Sequence, residues 1–585
     1  MKFLRNLLAT LLGLCIFFGI LFVGFIAIIA VAGSSETVLV KNNSVLELDL
    51  STVQYDYGGK FSYKDFNFND QRKDGVSDVI MAIEQAKNDD RIKGISMLNT
   101  VSSLGFVQRR EIREKLQEFK SSGKFVVSYS NALSQGEYYL NSVADTVFVN
   151  PVGAVDFRGL STEILYLKGL QDQTGVHMEV IRHGKYKSAV EPYLEKQMSE
   201  ANREQITVFL NSIWSTLVAD VSKSRSIAVD SLNDIATNLA ARTPERALAL
   251  KLIDKVAYED EYHAGIKKAL EMTQDKDYNK ISVLEYIKAD NPTKKASTDQ
   301  IAVIYAQGQI LNGEGNVNYI GEGSINRALK KARNNDKVKA IVLRVNSPGG
   351  SALTSELIWR EVELTKKVKP VIVSMGDLAA SGGYYIASGA DRIFADPATI
   401  TGSIGVFGML PNFSTLATKY GVNAEQVKTH QNAASYSPFR KVDDSFKSEV
   451  TESIEFIYET FVNRVAAGRN MTFEKVDEIA QGRVWTGVDA LEKGLVDELG
   501  GLNAAIAYAA NKVEIEDYKV VNYPEYELKI NDLLRNYLGA SIMQTQDELL
   551  KEKIGQENFE MMERLNYFQS LKGAQAIMPF EIKIQ

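Results

Sequence analysis

The sequence predicts an α/β protein made of two tandem copies of one domain behind an apolar helix. Three observations carry that expectation. A stretch ending at Pro151 matches a stretch ending at Pro397, an offset of 397 − 151 = 246 residues. Within each stretch, short β-branched runs alternate with helical segments. Ahead of both, Leu7 to Ala32 contains no charged residue.

The repeat governs how the rest is read. Tyr138-Tyr139 falls on Tyr384-Tyr385, and Asp145 on Asp391. Upstream, Asp90-Arg91-Ile92-Lys93 meets Asp336-Lys337-Val338-Lys339. Downstream, Gly175-Val176 meets Gly421-Val422, and Pro192-Tyr193 meets Pro438-Phe439. An ungapped match of this length is a duplication, far longer than a solenoid unit.

Each copy reads as alternating strand and helix. Lys339 to Val345 is a strand, followed by a Pro-Gly-Gly turn and a helical stretch from Ser355 to Thr365. Val371 to Ser374 and Ile393 to Ala395 are further strands. Such alternation favours a largely parallel sheet covered by helices. Phe209, Ile213, Leu217 and Val221 recur at helical spacing. The last three answer to Ile457, Phe461 and Val465 after a slip of two residues, and read as core or subunit contacts.

The expected organisation is residues 1–33 as an anchor, 34–290 as the first repeat, 291–300 as a polar linker, 301–515 as the second repeat and 516–585 as an extension without readable chemistry. One strand is expected at Val45 to Leu50, in an otherwise polar stretch from Ser34 to Asp74. The apolar segment is long enough to cross roughly 30 Å of hydrocarbon as a helix. Lys2 and Arg5 precede it, which places the rest of the chain on the periplasmic side of a bacterial inner membrane. Ala30-Val31-Ala32 could mark a cleavage site, but the apolar run exceeds a typical signal core. A retained single-pass anchor is therefore expected. Cys15 lies within it after Leu14, a buried apolar residue rather than a lipid attachment site.

Composition excludes several classes. A hydrophobic share of 45% and a charged share of 24% are ordinary for globular domains. The net charge of -7 argues against nucleic acid as a partner. One cysteine rules out an internal disulfide framework and a Cys-rich metal site. The only histidines, His177, His183, His263 and His430, leave little room for a metal cluster. No metal and no cofactor is expected.

The two copies share a scaffold but differ at reactive residues. The second has Ala380-Ser381-Gly382-Gly383 where the first has Ser134-Gln135-Gly136-Glu137, so Ser381 faces Gln135. The first has Lys187 where the second has Ala433. One copy retains a candidate nucleophile and the other a candidate base. A serine hydroxyl needs a neighbouring base to take its proton, and a lysine serves once burial has made it neutral. Lys185 is an alternative base, and a Ser381–His430 pair remains open at this point. Asn346-Ser347-Pro348-Gly349-Gly350 follows a strand and precedes a helix, where glycines let a backbone N–H face an oxyanion. The first copy has Thr100 to Leu104 there, with no glycine pair. Ser347 and Ser351 read as turn and capping residues, and Tyr384, Tyr385 and Asp391, present in both copies, as structural.

These motifs resemble the signal peptide peptidase A family in its long, tandem-repeat form. The matching segments are NSPGGS at Asn346 to Ser351, ASGGYY at Ala380 to Tyr385, TGSIGV at Thr401 to Val406 and YKSAVEPY at Tyr186 to Tyr193. The resemblance implies two tandem domains of the Clp protease/crotonase-type fold. It implies Ser381 as nucleophile, Lys187 as general base, Ser403 as the residue orienting the lysine, and Gly350 and Gly382 as oxyanion donors. It also implies a bowl-shaped homotetramer acting on released signal peptides and other unfolded apolar segments. Two other classes stand beside it: an idle membrane-tethered scaffold and a crotonase-type acyl-thioester enzyme. The complementary loss of one reactive group from each copy discriminates, since a scaffold has no reason to retain both overall.

Overall fold

The computed structural model describes residues 2–32, 39–63, 75–289, 297–430, 432–433, 436–528 and 575–577. Its two main sheets repeat one strand order. In the first repeat the order is Lys255–Val256, Thr146–Val149, Phe125–Ser130, Ile92–Leu98, Ser44–Glu47 and Asn279–Ser282, all parallel. In the second the matching strands are Glu498–Leu499, Arg392–Ala395, Val371–Ala380, Val338–Ser347, Gln300–Gln307 and Lys519–Tyr523, again parallel, while Ile400–Gly402 branches from Val371–Ala380 and pairs antiparallel with Val484–Thr486. Three of these strands begin 246 residues apart, at 92 and 338, 125 and 371, and 146 and 392. The duplication seen in the residues is thus a duplication of topology.

Parallel strands covered on both faces must be apolar throughout rather than alternating. Gln300–Gln307, QIAVIYAQ, is buried at every position but its first. The helix stripes behave as expected: Phe209, Ile213, Leu217 and Val221 are core residues of one helix, Glu200–Arg225, and Phe461 and Val465 of another, Asp444–Arg469. Each such aliphatic or aromatic side chain contributes about 1.5–3 kcal/mol on burial.

A third sheet joins the copies. Its order is Tyr319–Ile320, Gln309–Ile310, Gly349–Ser351, Gln575–Ile577, Val406–Asn412 and His177–His183. The last strand belongs to the first repeat, and Val406–Asn412 to the second. Elsewhere the repeats meet through a buried charge cluster. Arg344 donates to Asp56 at 2.9 Å and to both oxygens of Glu111 at 2.8 and 2.9 Å.

Several limits differ from the sequence reading. The strand expected at Val45 to Leu50 runs Ser44–Glu47, and a second, Lys60–Tyr63, has no counterpart in that reading. Residues 291–296 of the expected linker lie outside the described residues, and Gln300 already belongs to a strand. Lys519–Tyr523 carries the second sheet beyond residue 515 because it pairs with Gln300–Gln307. The N-terminal segment forms one helix, Lys2–Ala32, of whose residues 21–32 only the backbone is described. Among the described residues no helix is long and apolar enough to cross a membrane.

Candidate active site

The antiparallel pairing of His177–His183 with Val406–Asn412 places His183 opposite Val406. Lys187 lies four residues beyond His183, and Ser403 three residues before Val406, so the register brings them to the same end of the sheet. There Lys187 Nζ is 3.0 Å from Ser403 Oγ and donates to the Ser403 carbonyl at 3.1 Å. It is 2.7 Å from Ser381 Oγ. Lys187, Ser381 and Ser403 each have no exposed surface.

Ser381 sits between the strand Val371–Ala380 and the helix Gly382–Ala387. Its backbone has φ 55 and ψ -114, a region that costs a non-glycine residue about 1–3 kcal/mol. Two backbone bonds hold it there. Its N–H donates to Gly402 O at 2.8 Å, and its carbonyl accepts from Tyr385 N at 2.8 Å. Glycines bring the Pro-Gly-Gly turn against this corner. A Cβ on Gly383 would lie 2.8 Å from Ser347 O, and one on Gly350 would lie 1.9 Å from Ile310 O. Ser347 Oγ also accepts from Gly349 N at 3.1 Å, fixing the turn. Gly382 is the first helical residue, a position whose N–H has no acceptor within the helix.

Burial pushes the Lys187 amine well below its ordinary range, and desolvation is the whole cause. A neutral amine has two N–H bonds and one lone pair. The two donors match the carbonyl and hydroxyl of Ser403, which leaves the lone pair for the Ser381 hydroxyl proton. The seal around the lysine comes from Gly405 of the TGSIGV segment and from a second loop, at Gly482, with no distinguishing mark in the sequence. Gly482 (φ 76) packs so closely that a Cβ there would lie 2.7 Å from Lys187 N. A Cβ on Gly405 would meet Lys187 Cδ at 3.3 Å. Tyr186 N donates to Gln481 O at 2.8 Å, tying this loop to the lysine segment.

The remaining residues of the lysine motif hold its backbone. Gln205 Nε2 donates to Ser188 Oγ at 2.9 Å. Buried Glu191 accepts from Ser199 N at 2.7 Å and from Asn202 Nδ2 at 2.6 Å. Glu191 lies within the quoted motif, but its long-range partners leave no local signal.

The alternatives lie elsewhere. Lys185 is exposed, its Nζ 5.3 Å above the Tyr186 ring. His430 is exposed and contacts Thr429. Asp391 accepts from Val371 N at 2.8 Å, as Asp145 does from Val126 N at 2.8 Å, which makes both structural. Tyr384 and Tyr138 likewise donate to the equivalent carbonyls of Leu495 and Leu252. In the first repeat, Gln135 stands where the second has Ser381. Its Oε1 accepts from Arg158 N and Gly159 N at 2.9 Å, and its Nε2 donates to Gly159 O at 2.9 Å. The Gln135 side chain is thus satisfied by its own loop and offers no hydroxyl nucleophile.

The model of Peptidase family S49 matches this chain twice, over residues 118–273 and 363–516. The chain belongs to peptidase family S49. Among its relatives is Protease 4 of Haemophilus influenzae, 37% identical over 504 residues, covering 82% of this chain and 80% of that one. Protease 4 of Salmonella typhi is 36% identical over 481 residues, covering 80% and 77%. The chloroplastic serine protease SPPA of Arabidopsis thaliana is 35% identical over 472 residues, covering 78% and 69%. This S49 chain is accordingly a serine protease, and Ser381 is a fully buried serine 2.7 Å from the Lys187 amine.

Proposed function

We propose that the chain is a membrane-anchored serine endopeptidase working through a Ser381–Lys187 dyad. The observation that carries this is the 2.7 Å contact between Lys187 Nζ and Ser381 Oγ, with no carboxylate or histidine in the contact. Neutral Lys187 takes the Ser381 proton as Oγ attacks the scissile carbonyl. The tetrahedral oxyanion accepts from the backbone N–H groups of Gly350 and Gly382. Lys187, now an ammonium held by Ser403, returns the proton to the leaving amine. An acyl-enzyme remains on Ser381. Water then attacks that ester with Lys187 again as base, releasing the acid and restoring the serine.

In this reading each repeat is a Clp protease/crotonase-type domain, and four chains form a tetramer with their sites facing inward. The apolar run from Leu7 to Ala32 anchors the chain in the inner membrane and leaves the catalytic domains in the periplasm, a reading supported by its lack of charge in the sequence and by Lys2 and Arg5 ahead of it. Substrates are unfolded apolar peptides, including released signal peptides. Labelling with a fluorophosphonate probe tests the dyad. The intact chain takes one label at Ser381, whereas Ser381→Ala and Lys187→Ala take none. Labelling that survives in Ser381→Ala would remove the site.

A further inference from the structure

The loop at residues 481–483 touches both the lysine and the serine that orients it. Gln481 O accepts from Tyr186 N at 2.8 Å, one residue before Lys187. Gly482 N donates to Ile404 O at 2.8 Å, and Arg483 O accepts from Ser403 N at 2.6 Å, so the same loop holds the Ser403 turn. Gly184 (φ 107) lets the lysine segment close on it, since a Cβ there would lie 2.6 Å from Gln481 O. Lys187 of the first repeat and Ser403 of the second thus share one backbone support.

The Gln481 side chain moors that loop. Its Nε2 donates to Asp477 Oδ1 at 2.7 Å and to Tyr458 Oη at 3.2 Å. Tyr458 Oη donates to the same Asp477 oxygen. The Tyr458 ring stacks on His183, the centroids 3.7 Å apart, and His183 Nδ1 lies 2.7 Å from Glu455 Oε2. Gln481 itself has φ 51, a region that disfavours any residue with a side chain, so its amide contacts hold a backbone that would otherwise relax. The duplication supplies a control. Helices Glu200–Arg225 and Asp444–Arg469 begin 444 − 200 = 244 residues apart. At that offset Tyr458 answers to Trp214 and Asp477 to Asn233, and Trp214 Nε1 donates to Asn233 Oδ1 at 2.9 Å. A bond from that ring to that side chain is therefore common scaffold. Gln481 is not: exposed Thr237 stands in its place and donates to Asn233 O of its own helix at 2.8 Å. The amide arm exists in the copy whose loop meets the lysine.

We propose that Gln481 is a positioning residue for the reaction: anchored on Asp477 and Tyr458, it holds its loop so that Lys187 and Ser403 stay paired and closed to water. The inference rests on the dyad reading. It adds that the protonation state of the base is maintained from a helix that touches neither Lys187 nor Ser381, through one side-chain amide. Releasing the amide lets the loop relax, moves the lysine off Ser381 and admits water beside its amine, which favours the charged form.

Gln481→Gly in the full chain tests this, because glycine accepts positive φ without strain while removing the arm. On an unfolded peptide, kcat should fall by on the order of tenfold to a hundredfold, and KM should change little. The rate at which fluorophosphonate labels Ser381 should reach its midpoint at higher pH than in the parent. Asp477→Ala should act in the same direction. Asp477→Asn should recover most of that loss, since it keeps the acceptor that Asn233 supplies in the first repeat. Adding Asp477→Ala to Gln481→Gly should cost little more, because both cut one link. A Gln481→Gly chain with the parent's kcat and midpoint overturns the proposal, and so does a loss of kcat with the midpoint unmoved, which would leave the surroundings of the lysine intact. Equal losses in Asp477→Asn and Asp477→Ala overturn it as well. Absence of Ser381 labelling in the parent would instead fault the dyad.

Discussion

Lys187 Nζ lies 2.7 Å from Ser381 Oγ across 381 − 187 = 194 residues of sequence, each residue drawn from a different repeat. Burial, rather than a neighbouring charge, sets the protonation state of the lysine. Activity should therefore rise with pH through the depressed Lys187 pKa, because the amine is charged below that point and has no lone pair. Added salt should move the midpoint little, since desolvation and not an ion pair sets it. A pH profile of kcat/KM checks this; a rate that falls as pH rises from about 6 to about 8 would contradict it. Lys187→Ala should lose at least ~10² in rate, and Lys185→Ala should not.

The same burial should cost stability. The folded chain holds Lys187 neutral while the unfolded chain protonates it up to about pH 10.4. Between the depressed value and that limit the unfolded state binds the extra proton, so stability rises with pH across the window. Lys187→Met removes this cost. The variant should be inactive yet melt at a higher temperature than the parent at about pH 7, by on the order of 1 kcal/mol. The difference should shrink as pH approaches about 10. Thermal unfolding at several pH values checks it, and a lower melting temperature near neutral pH would show that the Ser403 contacts outweigh desolvation.

Much of this was legible in the residues because a duplication supplies its own control. Strand starts 246 residues apart follow from the ungapped match, and the Ser381/Gln135 and Lys187/Ala433 differences pointed to a divided site. The contacts that assemble the site were not legible. Gly482 seals Lys187 from 482 − 187 = 295 residues away, and nothing local marks it apart from other turn glycines. The chain from residue 516 onward gave no chemical signal because a three-residue strand such as Gln575–Ile577 takes its meaning from its neighbours. The loop contacts of Gln135 were equally hidden, since an amide side chain that satisfies a loop reads like any polar surface residue.

Gly482 makes the seal testable. Its φ is 76, and a Cβ there would stand 2.7 Å from Lys187 N and 2.8 Å from Lys187 Cα, so alanine must push the lysine segment away. The backbone alone should lose roughly 1–2 kcal/mol, since a side chain is disfavoured at positive φ. The larger effect should fall on rate. A displaced Lys187 both misses Ser381 and admits water, which raises its pKa. Gly482→Ala should lower kcat far more than it raises KM and shift the pH profile to higher pH. A variant with normal kcat and only reduced stability would assign the glycine to folding alone.

The last prediction concerns the buried charges that join the repeats. Arg344, 1% exposed on its side chain, pairs with Asp56 and Glu111 and also donates to Ser374 Oγ at 3.0 Å and Met375 O at 3.2 Å. It lies two residues before Asn346, at the entrance to the Pro-Gly-Gly turn. Burial pushes the Glu111 carboxyl upward, and the Arg344 guanidinium is the main force opposing that rise. Arg344→Leu removes the opposing charge and leaves two enclosed carboxylates facing one another. Breaking one partner from such a cluster typically costs about 3–5 kcal/mol. The sign with pH follows. Without the arginine, the folded-state pKa of Glu111 rises further above its unfolded value. The protonated carboxyl is then the tolerated form in the fold, so stability is retained at low pH and lost as pH rises through the folded pKa. The parent and Arg344→Leu should thus be closest in melting temperature near about pH 4 and furthest apart near about pH 8. Glu111→Gln in the Arg344→Leu background should recover part of the loss at the higher pH, since it keeps an acceptor for Leu502 N, now 3.0 Å from the Glu111 carboxylate, without a charge. A penalty that is the same at both pH values would mean that packing, and not the unpaired carboxylates, accounts for it.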